Sequence, residues 1–443
     1  MHPFEIKKVY LLWICFLFFA CALNKYKSFL GTLLFRNSEN SELLVLKTIL
    51  KKLIRVGTLT IVDASGRLHI FSGQSGPTVR VHLHNKLIPW RMVITPTMAI
   101  GEGYMEGHLT VEDGTIYDFL SLLGQNIETH GQHPFHLMVE MVSRLFKRFQ
   151  QFNPQLLSKK NVAHHYDLSQ KLYELFLDPD LQYSCAYFES PETDLETAQE
   201  NKKRHIAAKL MISPGQSVLD IGSGWGGLAI FLAKTIGARV TGITLSENQL
   251  EESHKKAKNE GLTDLINFYL RDYRDQAGTF ERIVSVGMFE HVGIGHFPNF
   301  FMTYKNLLAD NGIALLHTIG RSSPPSVTDP WVRKYIFPGG YIPALSEVLP
   351  IIENTGLIVT DIEFLHAHYA ETIRHWRARF NANRDRIKTI YDERFCRMWE
   401  FYLASSEVSF RFLGMTVFQI QMVKKSGLLP LKRDYIEKLE NEM

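Results

Sequence analysis

One stretch constrains this chain more than any other: Val218-Leu-Asp-Ile-Gly-Ser-Gly-Trp-Gly-Gly227, followed at once by Leu228-Ala-Ile-Phe-Leu-Ala-Lys234. An apolar, β-compatible run stops at glycines, and a helical pattern opens behind them. Such a junction aims unpaired backbone N–H groups at a ligand. A strand of this kind is buried on both faces, so it needs parallel neighbours with helices above and below. The later chain supplies them. Strands are expected at 239–245, 266–270, 282–286, 313–319 and 416–423, and helices at 197–210, 247–260, 345–354 and 371–411. This alternation predicts an α/β fold of the Rossmann-like kind. The interval 320–340 carries Pro324, Pro325, Pro330 and Pro338 and reads as an inserted loop or lid.

The first part of the chain follows a different pattern. Residues 9–23 are an unbroken apolar run behind Lys7 and Lys8. A spanning helix needs roughly 17–25 residues, so residues 1–40 read three ways: a membrane anchor, a cleaved signal, or an extension from a misplaced start. Cleavage and export would take an enzyme away from a cytoplasmic cofactor. Residues 41–56 give an amphipathic helix, with Leu43, Leu46, Leu50 and Leu53 on one face and Lys47, Lys51 and Arg55 on another. It suits either a core with a solvated basic side or an anionic membrane surface. Short β-like runs at 58–62 and 79–83 and a helix near 116–123 suggest a small α+β domain over 41–155. A second basic helix is expected at 137–152, and a boundary at 153–160. His130, His133 and His136 lie in a Gly/Pro loop with no cysteine or carboxylate to complete a set, so no metal is expected. The net charge of +3 argues against nucleic acid, and four scattered cysteines offer neither disulfide nor zinc spacing.

Gly222-Ser-Gly-Trp-Gly-Gly227 matches G-x-G-x-x-G, a weak pattern by itself. A dinucleotide site wants an acid about 20 residues on, for the ribose. Here the next strand ends in Thr244-Leu-Ser-Glu-Asn-Gln249. Asp220, just before the first glycine, faces a cationic amino-acid group better than a pyrophosphate. These residues favour S-adenosylmethionine.

Further motifs sharpen the reading. Asn161-Val-Ala-His-His-Tyr-Asp-Leu168, Leu181-Gln-Tyr-Ser-Cys-Ala-Tyr187, Leu219-Asp-Ile-Gly-Ser-Gly-Trp-Gly226, Asp272-Tyr-Arg-Asp275, Gly287-Met-Phe-Glu-His-Val-Gly293 and Leu315-Leu-His-Thr-Ile-Gly320 occur in order. Together they resemble the cyclopropane-fatty-acyl-phospholipid synthase family, which includes the mycolic acid cyclopropane synthases. The resemblance covers about residues 156–425. It implies a seven-stranded methyltransferase sheet over 156–443, with S-adenosylmethionine as co-substrate. It places Tyr183, Ser184, Asp220, Gly222, Gly224, Gly226, Thr244, Gln249, Tyr273 and Arg274 at the cofactor. It assigns Cys185, Glu290, His317, Ile319 (through its backbone) and Tyr369 to a bicarbonate ion. The partners implied are an unsaturated membrane phospholipid and the inner, cytoplasmic membrane face, with a homodimer compatible with both. Many members carry a cysteine in a late helix where this chain has Ser405 and Ser406, which speaks against a nucleophile there.

Taken singly, these residues have blander readings. Cys185 would be a small buried hydrophobe, Glu290-His291 a helix cap, His317 a satisfied core histidine and Trp225 turn packing. Three functions follow from the whole pattern. The first is cyclopropanation of a cis-unsaturated acyl chain. The second is C-methylation to a branched or methylene product. The third is a silent lipid-binding protein, against which the intact Cys185, Glu290 and His317 argue.

Overall fold

The computed structural model describes residues 41–130 and 168–443. The apolar N-terminal run, His133 and His136 of the expected histidine loop, the basic helix at 137–152, the boundary at 153–160 and nearly all of the Asn161–Leu168 motif lie outside the described residues, whereas His130 ends a helix. Among the described residues, no helix is long and apolar enough to cross a membrane.

The N-terminal unit contains α1 (Ser41–Leu53), β1 (Val56–Val62), β2 (Leu68–Ser72), β3 (Gln74–Leu83), α2 (Ile88–Ile94), α3 (Pro96–Met105), β4 (Leu109–Asp113) and α4 (Ile116–His130). Its sheet runs β2-β1-β3-β4, with β1 and β3 parallel. Leu46 and Leu50 of α1 are buried while Lys51 and Lys52 are exposed, so the leucine stripe serves the core. Asn126 of α4 ties the unit together. Its Oδ1 accepts from Arg55 N (2.9 Å) and Val56 N (3.0 Å).

The larger unit begins with α5 (Gln170–Glu174) and α6 (Leu195–Leu210). Strands β5 (Ser217–Ile221), β6 (Arg239–Thr244), β7 (Ile266–Leu270), β8 (Phe280–Val286) and β9 (Leu308–Arg321) alternate with α7 (Gly227–Phe231), α8 (Glu247–Asn259) and α9 (Phe297–Leu307). Then follow α10 (Pro330–Tyr335), α11 (Leu345–Thr355), β10 (Ile358–Phe364), α12 (His366–Ala382), α13 (Arg384–Ile390), α14 (Glu393–Phe412), β11 (Met415–Val423) and α15 (Tyr435–Glu442). The seven-stranded sheet has the order β10-β11-β9-β8-β5-β6-β7, and β11 runs antiparallel to both neighbours. The expected α/β methyltransferase sheet is therefore present.

Three expectations change in detail. Strand β10 was not read from the sequence, because its residues are mostly half-buried or exposed at a sheet edge and carry a weak apolar signal. The single helix expected at 371–411 is three helices, broken at Asn383 and again before Asp392, whose side chain caps α14 at Phe395 N (2.7 Å). The loop at 320–340 contains α10, and α10 is packed rather than free. Trp331 is fully buried, donates to Met105 Sδ (3.3 Å) and meets Phe401 edge-on at 4.6 Å. A side chain at Gly101 would collide with the Trp331 ring at 2.5 Å, so the close approach of α3 and α10 requires glycine there. One continuous apolar core runs from α1 through α14, joining the two units.

Candidate functional site

The cofactor cleft opens where β5, β6 and β8 end, the usual position for a ligand in a parallel sheet. It encloses about 1190 Å³, open solvent included. Tyr183, Ser184, Asp220, Gly222, Gly224, Thr244, Gln249, Tyr273 and Arg274 all line it. Gly226 does not. It caps α7 with φ +82°, and a Cβ there would strike Phe268 and Ser253 at 2.7 and 2.8 Å. Its part is to bring the turn down onto β7 and α8.

Local bonds shape the walls. Thr244 Oγ1 donates to Gln249 Oε1 (2.9 Å), and Ser246 caps α8 by accepting from Gln249 N (3.4 Å). Arg274 makes a two-point bond to Asp272, Nε to Oδ1 at 2.8 Å and a terminal nitrogen to Oδ2 at 2.7 Å. Asp272 also lines the cleft, so the Arg274 charge is already met. Trp225 is not merely turn packing: it lines the cleft and rests 5.1 Å from the Tyr173 ring.

Asp220 differs from these groups. It is 2% exposed, and its Oδ2 has no hydrogen-bond partner. Burial raises its pKa to about 7. The adjacent Ser223 hydroxyl is also unsatisfied. Buried polar atoms without partners are rare in native folds and mark a place for a ligand. A co-substrate with a cationic amino-acid end fits this wall. Lys202 of α6 lines the same cleft; it stood inside an expected helix with nothing in the sequence to single it out.

The second group of residues comes from four segments. Glu290 sits in a 3₁₀ turn after β8, between the cleft-lining Met288 and His291, but does not itself line the cleft. Its Oε1 accepts from Ile319 N (2.6 Å), whereas Oε2 is buried without a partner. Burial lifts its pKa to about 7. His317 lies two residues earlier on β9, and Gln419 Nε2 donates to its Nδ1 (3.1 Å). The neutral ring then carries its proton on Nε2. Burial keeps its pKa well below the usual imidazole range, so the ring is neutral. Cys185 is buried and its thiol is pushed far up by burial, making it a protonated donor and not a nucleophile. Thr372 of α12 accepts from the neighbouring Ala186 N (3.0 Å), which brings the Cys185 segment against the helix that carries Tyr369. The Tyr369 ring packs 4.7 Å from Phe410 and 5.8 Å from Trp376. Tyr183 and Tyr402 share a hydroxyl–hydroxyl bond of 2.8 Å within a cluster of Phe176, Trp376 and Trp399. Ser405, at the position in question on α14, donates to Tyr402 O (3.1 Å). Among the described residues no group of side chains could hold a metal ion.

Comparison with known proteins places this architecture. The mycolic acid cyclopropane synthetase family model matches residues 155–420. The chain belongs to this family. It is 36% identical over 335 residues to the cyclopropane-fatty-acyl-phospholipid synthase of Escherichia coli (strain K12), spanning 74% of this chain and 84% of that one. It is 38% identical over 271 residues to a probable fatty acid methyltransferase of Pseudomonas putida, covering 59% of this chain and 68% of that one. Among solved structures it resembles mycolic acid cyclopropane synthase CmaA1 complexed with S-adenosylhomocysteine and CTAB. The TM-score is 0.57 at 31% identity, covering 61% of this chain and 99% of that one. This member of the family is an S-adenosylmethionine-dependent methyltransferase.

Proposed function

We propose that the chain transfers a methylene unit from S-adenosylmethionine to the cis double bond of an unsaturated acyl chain in a membrane phospholipid, closing a cyclopropane ring. The observation that carries this reading is Glu290, a buried carboxyl with one free oxygen, set immediately beside the methyl-donor cleft but outside it. A proton acceptor there suits a reaction whose last step removes a proton from the newly added carbon.

An alkene is a poor nucleophile, so holding it against the sulfonium methyl is the main contribution of the protein, worth roughly 7–11 kcal/mol in favourable cases. The aromatic cluster around Tyr183, Trp376 and Tyr402 offers an apolar wall for the acyl chain. Ring faces can stabilise a developing carbocation by about 0.5–2 kcal/mol each. A charged carboxylate touching that cation could trap it covalently, and the neutral Cys185, His317 and Tyr369 avoid this.

The same residues suit bicarbonate, which when bound would supply the small base for the proton. His317 Nε2–H offers a neutral donor, and Glu290 Oε2 offers an acceptor for the ion's own proton. The Cys185 thiol, which donates to Ala186 O (3.3 Å), and Tyr369 would have to turn toward the ion. The Ile319 N–H is already held by Glu290, so its part is to position that carboxylate. The similarity to a probable fatty acid methyltransferase favours a second reading, a methyl-branched or methylene product. One cation can lose either of two protons. Access to lipid would come from the cytoplasmic face of the membrane, with residues 1–40 as an anchor and the basic side of α1 toward anionic headgroups. A homodimer is compatible with this arrangement.

Lipid analysis tests the reading. The chain is expressed in bacteria lacking such an enzyme and supplied with unsaturated lipid. A 14-dalton gain with loss of the olefin and no branched methyl is expected. A branched methyl or methylene group would instead establish the second reading. No gain, even in lysate with added cofactor and bicarbonate, would leave a lipid-binding protein.

A further inference from the structure

We infer that Lys202 binds the carboxylate of the methionyl end of S-adenosylmethionine, opposite Asp220. The inference rests on S-adenosylmethionine as co-substrate and is independent of the bicarbonate assignment.

Lys202 is 1% exposed yet lines the cleft. Its ammonium donates to two neutral acceptors, Gln182 Oε1 at 2.5 Å and Ser184 Oγ at 2.9 Å. Among the described residues no carboxylate lies within ion-pair distance of it. Its neighbours on α6 are treated differently. Lys203 meets Asp180 and Glu200 at 2.9 Å each, and Lys209 meets Glu363 at 2.5 Å and Asp361 at 3.4 Å. A buried ammonium without a counter-ion costs several kcal/mol, and burial depresses the Lys202 pKa to about 8.

Asp220 carries the complementary deficit. It has an unpartnered oxygen in the same cleft, and Lys202 is the charge that acts on it, although no hydrogen bond joins the two. One cation and one acid in one pocket, neither in an ion pair at contact distance among the described residues, are a receptor for a zwitterion. The methionyl group is an α-amino acid whose ammonium suits Asp220 and whose carboxylate suits Lys202. The anchoring is stiff. Gln199 Nε2, one turn earlier on α6, donates to the carbonyls of Gln182 (3.2 Å) and Ser184 (3.0 Å), fixing the segment that Lys202 also holds.

The test is calorimetric binding of S-adenosylmethionine and of its decarboxylated form, which keeps the sulfonium, the adenosine and the amine. Wild-type protein is expected to bind the carboxylate-bearing ligand roughly 10- to 100-fold more tightly. Lys202→Met should remove that preference, weakening the carboxylate-bearing ligand far more than the decarboxylated form. Equal weakening of both ligands would overturn the inference and leave Lys202 as a brace for Gln182 and Ser184. Retained preference would overturn it outright. If wild type bound neither ligand, the co-substrate reading itself would fail.

A second measurement follows the ratio of the two affinities with pH in wild type and Lys202→Met. The charged and titratable groups acting with Lys202 are Asp178, Asp180, Lys203, Asp220, Cys185 and His317. The α-amino group of S-adenosylmethionine loses its proton at lower pH than the amine of the decarboxylated form, so the ratio falls in both proteins and only the difference between the two curves reports the carboxylate contact. The ratio should fall further in wild type than in Lys202→Met as pH rises above 8. Superimposable curves from pH 7 to 10 would contradict the inference.

Discussion

Helix α6 buries a polar stripe, Gln199, Lys202, His205 and Lys209, and its two ends meet opposite fates. At the far end, His205 bonds to Glu440 and, at 2.9 Å, to Glu363, and Lys209 pairs with Glu363 and Asp361. Arg433 closes the group on Asp361 and Glu363 at 2.8 Å each. Glu363 is held below the usual carboxylate range by His205 and Lys209, which outweigh its burial. At the near end, Lys202 and Asp220 are buried without an ion pair at contact distance. One helix thus carries an ion-paired cluster that fastens β10 and α15 to the sheet, and a charged group without an ion pair that faces the cleft. Ion-paired buried charge holds structure; buried charge without a pair suits a ligand.

The largest expected effect extends this contrast to Glu290, the other unsatisfied acid. Glu290→Gln and His317→Ala should each lower product formation by about 100- to 10,000-fold. S-adenosylmethionine affinity should stay within about twofold of wild type. Either variant turning over lipid near the wild-type rate would remove that residue's assigned part, Glu290 as proton acceptor or His317 as donor to bicarbonate. Next is the seam between the units. Trp331→Ala should cost about 3–5 kcal/mol in denaturant unfolding. A loss under about 1 kcal/mol would mean that α10 is a loose flap after all.

pH should separate the two kinds of acid. Asp220 and Glu290 have folded values raised to about 7, so the unfolded chain releases these protons first. Their contribution to stability is present at low pH and is lost as pH rises from about 4 to 7. Glu363 works the other way: its contribution is present above the usual carboxylate range and is lost as pH falls below it. Cofactor binding should strengthen through about pH 7 as Asp220 ionises, and Asp220→Asn should lack that rise. The smallest effect belongs to the rim. Arg433 is 54% exposed, so Arg433→Ala should cost about 0–1 kcal/mol despite two ion pairs.

Much of this was legible in the sequence, for local reasons. The strand at 217–221 and its glycines read correctly because strand, turn and helix signals are adjacent there. Nine of the ten residues expected at the cofactor line the cleft, since they sit in compact motifs. Lys202 and the stripe on α6 were not legible. A helix with glutamine, lysine and histidine on one face reads as solvated, and only the tertiary fold reveals that this face is inside. Asp272 was hidden for a similar reason, because its bond to Arg274 depends on the local 3₁₀ turn. Ile319 was expected as a free donor, but the carboxylate that occupies it comes from another strand end.

The most direct test of the central contrast sets Asp220→Asn beside Glu363→Gln, with cofactor affinity and thermal unfolding measured on both. Asp220→Asn should weaken S-adenosylmethionine binding by roughly 10- to 100-fold while raising stability by about 1–3 kcal/mol, because an unmet buried charge is gone. Glu363→Gln should leave affinity within about twofold of wild type and cost about 3–5 kcal/mol, because Lys209 and His205 lose their shared carboxylate and Lys209 keeps only the more distant Asp361. If Asp220→Asn destabilised the fold, or Glu363→Gln cost cofactor affinity, the division of α6 into a ligand end and a structural end would be wrong.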